Sequence, residues 1–201
     1  MEWYEAEVRA LEKAHVPPPP QGTVVFYGSS SIRLWTSLAE DFAGIGREAR
    51  LVNRGFGGST LEVCAHFFER LIVPCRPRSL ILYAGDNDIG DGQTPERVAG
   101  SFRALSQKIT RHLGPIPFAF LSLKPSPARW HLIDPIRRTN ELIRRELDGR
   151  EWGYWVDVFH PMLGADGRPR RELFAPDGLH LSPAGYRLWT RILYAHRDGI
   201  F

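Results

Sequence analysis

The chain has 201 residues, of which 43% are hydrophobic and 24% charged, and its formal net charge is +3. That length suits one domain with a substantial buried core, and the mild charge, with no basic patch interleaved with aromatics, speaks against a dedicated nucleic-acid binder. The apolar runs are too short to span a bilayer, so a transmembrane helix and a stable membrane association are not expected. The first residues, Met1-Glu2-Trp3-Tyr4-Glu5, are acidic and contain no apolar h-region, so no secretion signal is expected. Cys64 and Cys75 form neither a disulfide framework nor a metal-ligand spacing. The expectation is two reduced thiols in a cytoplasmic protein that uses no metal and no other cofactor.

From Trp3 to about His15, Tyr4, Val8 and Leu11 recur at helical spacing among charged residues, which predicts an amphipathic helix. Pro17–Pro20 stop it and form a stiff connector, so residues 1–20 read as an appendage to a domain over 21–201. The appendage is expected to dock on the domain, with a homodimer contact as the alternative. Strands then alternate with helices. The strands are Thr23–Tyr27, Ala49–Asn53, Ser79–Tyr83, Pro117–Ser122 and Tyr154–Val158. The helices are Ile32–Phe42, Thr60–Leu71, Thr94–His112, Arg129–Leu147 and Pro183 to about His196. Five strands joined by helices imply an α/β fold, a parallel sheet with helices on both faces and right-handed crossovers. The expected strand order is 2-1-3-4-5, which puts the first strand at the switch point where α/β sheets bind ligands.

That first strand ends in Gly28-Ser29-Ser30-Ser31 and runs into a helix, so hydroxyls and the first helical amides meet at the carboxyl edge of the sheet. One of the three serines is expected to be a nucleophile. His180 is the candidate base, because Asp177 lies three residues before it, in a loop directly before a helix cap. From there a carboxylate can hold one ring nitrogen and leave the other free for a serine proton. His160, three residues after Asp157, is its strongest rival. Acyl transfer through serine creates an oxyanion that preorganised N–H donors stabilise. The candidates are the Ser30 amide, Gly58 in the turn Arg54-Gly55-Phe56-Gly57-Gly58-Ser59, and the Asn87 side chain in Gly85-Asp86-Asn87-Asp88. The glycine turn lacks the Gly-x-Gly-x-x-Gly register of a dinucleotide site.

Taken together, Gly28–Ser31, Asn53–Gly58, Gly85–Asp88 and Asp177-Gly178-Leu179-His180 resemble the four sequence blocks of the SGNH hydrolases, the GDSL esterase/lipase family, in order and in placement at strand ends. The resemblance covers about residues 23 to 196. It implies a flavodoxin-like three-layer α/β/α sandwich and metal-free hydrolysis of carboxylic or thio-esters. By position it implies Ser30 as nucleophile, Asp177 and His180 as acid and base, and Ser30, Gly58 and Asn87 around the oxyanion. The family's Gly-Asp-Ser reads Gly28-Ser29-Ser30 here, and Ser29 is expected to replace part of the missing carboxylate's hydrogen bonding. Arg54, Lys124 and Trp130 are candidate contacts for the acyl or alcohol group, on loops near the expected cleft. A small soluble ester is the expected substrate, with a carbohydrate O-acetyl group or a thioester as alternatives. A flavodoxin-like ligand-binding module without turnover is the non-catalytic reading.

Overall fold

The computed structural model describes residues 1–14, 22–45 and 50–201. His15, the Pro17–Pro20 connector and the expected start of the second strand at Ala49 lie outside the described residues. The elements in chain order are α1 (Glu2–Lys13), β1 (Val24–Gly28), α2 (Ser30–Arg33), α3 (Leu38–Asp41), β2 (Leu51–Gly55) and α4 (Leu61–Leu71). They continue with β3 (Ser79–Tyr83), α5 (Asp86–Gly90), α6 (Pro95–Leu113), β4 (Phe118–Leu121), α7 (Ile133–Leu147), β5 (Gly153–Val156), α8 (Pro183–Ala195) and α9 (Arg197–Ile200).

All strand pairs are parallel and the order is β2-β1-β3-β4-β5, as the alternating pattern implied. β1 and β3 are buried at every position because helices cover both faces. Alternate strand residues feed two cores. Val25, Tyr27, Val52, Leu80 and Phe120 face α1, α4, α6 and α7, whereas Val24, Phe26, Ile81, Tyr83 and Leu121 face α2, α3, α8 and α9. The fold is thus a three-layer α/β/α sandwich. No helix among the described residues is long and apolar enough to cross a membrane.

Helix starts follow their sequence signals. The Thr60, Thr94 and Ser182 hydroxyls accept from the amides of Val63, Arg97 and Gly185, and prolines at 95 and 183 occupy the first helical turn, where a missing N–H costs nothing.

Besides shifts of one or two residues at the ends of other strands, four departures from expectation bear on the site. The helix expected over Ile32–Phe42 is two short helices, because Trp35 between them turns into the core against Phe26, Tyr186 and Trp189. Its indole N–H and the Ser37 hydroxyl both donate to Asp41 Oδ2, at 2.7 Å each, so burial and local side-chain bonds override helix propensity. β2 ends at Gly55 rather than Asn53, because its register on β1 runs from Val24↔Leu51 to Gly28↔Gly55. The stretch before α7 is a 3-10 turn over Pro127–Leu132, interrupted at Arg129, whose side chain reaches back to Asp86 and Asn87. Lastly, Asp86–Gly90, outside the expected elements, is a short helix entered through Gly85 at φ +118°.

Candidate active site

The turn after β1 depends on a glycine. Gly28 has φ +132°, and a Cβ there would lie 1.9 Å from the Tyr83 carbonyl oxygen, so no other residue fits. This close approach lets the Ser29 N–H donate to Tyr83 O at 2.9 Å, and Ser30 then opens α2 with an N–H that has no intrahelical partner. Ser30 Oγ lies 3.0 Å from His180 Nε2, and His180 Nδ1 lies 2.6 Å from Asp177 Oδ2. The other oxygen of Asp177 accepts from the amides of Leu179 and His180 at 2.9 and 3.0 Å. The Leu179 amide first, then the His180 ring and amide, hold the Asp177 carboxyl down to about 2, so it stays ionised at neutral pH. Asp177 anchors Nδ1 as the donor and leaves Nε2 to accept from the serine.

The three serines separate clearly. Ser29 Oγ is buried with no hydrogen-bond partner among the described residues, so the expectation that it takes over part of the missing carboxylate's bonding fails. Ser31 is tied down: its hydroxyl accepts from Lys124 Nζ at 3.2 Å and its carbonyl from the Tyr186 hydroxyl at 3.0 Å. Only Ser30 meets the histidine.

The strand register aligns Gly28, Gly55 and Tyr83 in one row, so the turns after β1, β2 and β3 leave the same edge together. Asn87 stands in the first turn of α5. Its Nδ2 donates to Ser59 O and its Oδ1 accepts from Arg129 Nη2, both at 3.0 Å, which fixes the amide plane and leaves the second Nδ2 hydrogen unassigned. Gly58, next to Ser59, has φ +68° and open space where a Cβ would be. Beneath them lies a buried charge cluster. Asp86 Oδ2 is 2.9 Å from Lys124 Nζ and 3.0 Å from Arg129 Nη1, and Lys124 also donates to the Tyr83 hydroxyl at 3.1 Å. Burial alone would raise the Asp86 carboxyl, but the charges of Lys124 and Arg129 outweigh it and hold it below the ordinary range.

The candidate substrate contacts fare differently. Arg54 is not on a loop near the cleft. It is a buried residue of β2 on the opposite side of the sheet from α2, with one guanidinium nitrogen donating to the Leu11 carbonyl and another 3.4 Å from Cys75 Sγ. Strand alternation sends Arg54 to the α1 side, whereas its neighbour Asn53 donates to Ile32 O in α2. Lys124 is 2% exposed and supports the Ser31 turn from below rather than facing solvent. Trp130 is half-buried and walls a cavity of about 470 Å³ with Pro127, Asp166, Arg168 and Arg171; the Arg168 guanidinium lies 5.1 Å from its ring centre. This cavity abuts the 177–180 loop, where Gly178 packs on Pro127 and accepts from the Ala128 amide. A cavity of about 480 Å³ lined by Ile109, Ile116, Phe118 and Trp152 lies at the amino edge of the sheet and contains none of these residues. The rival pair Asp157–His160 has the same local geometry, with Nδ1 2.7 Å from Oδ2, but no described serine meets its ring. Ser122 accepts from the Val158 and Phe159 amides instead. Among the described residues, no group of three or more His, Cys, Asp or Glu side chains is placed to hold a metal ion. Arg129 escaped notice in the sequence because its link to Asn87 spans 42 positions and no local pattern reports it.

Asp88 gives the site a pH signature in stability. It is fully buried, accepts from the Leu61 amide at 3.1 and 3.2 Å, and its carboxyl is pushed up to about 7 by burial. Between the ordinary value of 3.8 and about 7 the folded chain holds a proton that the unfolded chain releases, so this contribution to stability is lost as pH rises across that window. Asp88→Asn keeps the shape and an acceptor for Leu61. It should match wild type near pH 4 and unfold roughly 8–16 °C higher at pH 8, equivalent to about 4 kcal/mol. Thermal melts at the two pH values check this, and a gap that does not change with pH would refute it.

Comparison with known proteins bears on the family and the fold. The family model described as GDSL-like lipase/acylhydrolase matches residues 23–188, more than half of the chain. Platelet-activating factor acetylhydrolase IB subunit alpha1 from Bos taurus is 28% identical over 179 residues, covering 86% of this chain and 73% of that protein. A Streptococcus pneumonia structure carrying a platelet-activating-factor designation superposes with a TM-score of 0.82 at 21% identity, over 98% of this chain and 95% of that one. A GDSL-like lipase from Bacteroides thetaiotaomicron gives a TM-score of 0.75 at 19% identity, over 98% and 96% of the two chains. Sheet order, sequence blocks and family match converge, and the chain belongs to the GDSL-like lipase/acylhydrolase family of ester-hydrolysing enzymes.

Proposed function

We propose that the chain hydrolyses a small carboxylic ester through an acyl-enzyme formed on Ser30. The observation that carries this reading is the continuous relay Ser30 Oγ–His180 Nε2 at 3.0 Å and His180 Nδ1–Asp177 Oδ2 at 2.6 Å. His180 Nε2 takes the Ser30 proton as Oγ attacks the carbonyl carbon, and Asp177 stabilises the imidazolium that results. The oxyanion receives the N–H groups of Ser30 and Gly58 and one hydrogen of Asn87 Nδ2. Collapse breaks the ester bond, and the alcohol leaves with the proton from His180. Water, deprotonated by the same nitrogen, then attacks the acyl carbon and releases the acid and free Ser30. The enzyme class sets aside the ligand-binding module without turnover.

The acetylhydrolase name of the bovine relative supports a short acyl group, acetyl first, so an O-acetylated carbohydrate stays as the second reading. Trp130 lines the cavity beside the 177–180 loop, where it can contact the acyl or alcohol group. Both cysteines are free and buried, which fits a reducing compartment such as the cytoplasm. A homodimer through α1 would use its outward face, where Trp3 is 87% exposed, and sedimentation checks it.

A panel of p-nitrophenyl esters from acetyl to decanoyl, run beside acetylated xylan, tests the substrate. The expected result is a kcat/KM maximum at acetyl or propionyl. A maximum at long chains would overturn the short-acyl reading, and exclusive turnover of the glycan would favour the carbohydrate one.

A further inference from the structure

Helix α1 lies outside the residues that the family model matches, yet its side chains reach the oxyanion-side turn. Tyr4 donates its hydroxyl to Gly58 O at 3.1 Å, and the Gly57 N–H donates to Glu7 Oε2 at 3.0 Å. The other Glu7 oxygen lies 3.3 Å from Arg33 Nη1, on the short helix that begins with Ser30. One carboxylate therefore ties the serine's helix to the glycine turn. The peptides before and after the Gly57–Gly58 link are each held, and no described residue accepts from the Gly58 N–H between them.

We propose that α1 is a positioning element of the active site, in which Tyr4 and Glu7 aim the Gly58 N–H at the oxyanion; this rests on the assignment of Gly58 as a donor. Glycine at φ +68° with open space around its Cα position has no packing of its own to hold it, so its orientation must come from its neighbours. The holding groups are themselves well seated. The Tyr4 ring packs edge-on against Phe56 and Phe67 at 5.8 and 6.4 Å, and Val8 is fully buried. Farther along α1, Arg70 pairs with Glu5 and Glu12 at 2.8 Å each, and Arg54 donates to the Leu11 carbonyl. Docking and aiming thus use different groups, the Tyr4 ring against its hydroxyl and Glu12 against Glu7, which makes them separable by mutation.

Tyr4→Phe removes one hydroxyl and keeps the ring, and Glu7→Ala removes the acceptor that Glu7→Gln retains. With p-nitrophenyl acetate, Tyr4→Phe and Glu7→Ala should each lower kcat roughly tenfold with KM within about twofold, since a small misplacement of a catalytic group acts on the transition state. The rate at which a fluorophosphonate labels Ser30 should fall by the same factor, because its phosphoryl oxygen needs the same donors. Glu7→Gln should recover most of the activity. Glu12→Ala, which weakens docking at the far end of α1, should lower the melting temperature and leave kcat at the wild-type value. Unchanged kcat and labelling in both Tyr4→Phe and Glu7→Ala would overturn the proposal, as would an equal loss in Glu12→Ala. Failure of the parent reading looks different: Ser30→Ala would stay active or the fluorophosphonate would label elsewhere.

Discussion

Ser30→Ala is expected to abolish turnover, lowering kcat by at least ~10⁴, with the melting temperature near that of wild type. The size follows from what the hydroxyl does: it supplies both the attacking oxygen and the proton that His180 takes, and no neighbour can replace it. Ser29 is 1% exposed and its hydroxyl has no hydrogen-bond partner among the described residues, and Ser31 is held beneath the turn by Lys124. The fold should tolerate the change, because among the described residues Ser30 Oγ bonds only to a histidine that retains Asp177 on its other side. Steady-state kinetics with p-nitrophenyl acetate, together with mass-spectrometric mapping of a fluorophosphonate adduct, measure both parts. An active Ser30→Ala enzyme, with the adduct on Ser29 or Ser31, would overturn the assignment.

Asn87→Asp is expected to cost a factor of about 10²–10³ in kcat, roughly 2.7–4 kcal/mol, with KM little changed. The substitution keeps the shape and an oxygen for Arg129 but loses the N–H that Ser59 O accepts, so a purely structural role for Asn87 predicts activity lost only in step with stability. An oxyanion role predicts a loss of activity far beyond any loss of stability. The aspartate withdraws an N–H and presents negative charge where the carbonyl oxygen gathers its own, and it faces the Ser59 carbonyl without a proton to give. The added charge pairs with Arg129 and offsets part of the lost Ser59 bond, so the melting temperature measured beside kcat separates the readings. Near-wild-type kcat in Asn87→Asp would remove Asn87 from the oxyanion site.

Much of this protein is written in local pattern. Apolar runs such as Ser79–Tyr83, caps such as Thr60, Thr94 and Ser182, and prolines at 95 and 183 led to five parallel strands, their order and most helix starts. The Asp177–His180 pair was legible too, because three residues in one loop bring a carboxylate onto its own histidine whatever the rest of the chain does. The spacing alone does not separate this pair from Asp157–His160, which reproduces the same local bond; the helix cap after His180 and the block resemblance favoured His180. The contact itself is tertiary: the fold brings Ser30, 150 positions away, to the His180 ring, and no described serine meets the His160 ring. The same limit explains Arg54 and Lys124, since polarity marks a residue as charged but not the face on which a strand or loop presents it. Arg54 went to the α1 side of the sheet, and Lys124 folded under the serine turn to neutralise Asp86. The docking of Tyr4 and Glu7 on Gly57 and Gly58 belongs to the same class. Its contacts join residues 50 and 54 positions apart, and their energy exists only once the sheet has aligned the turns that they hold.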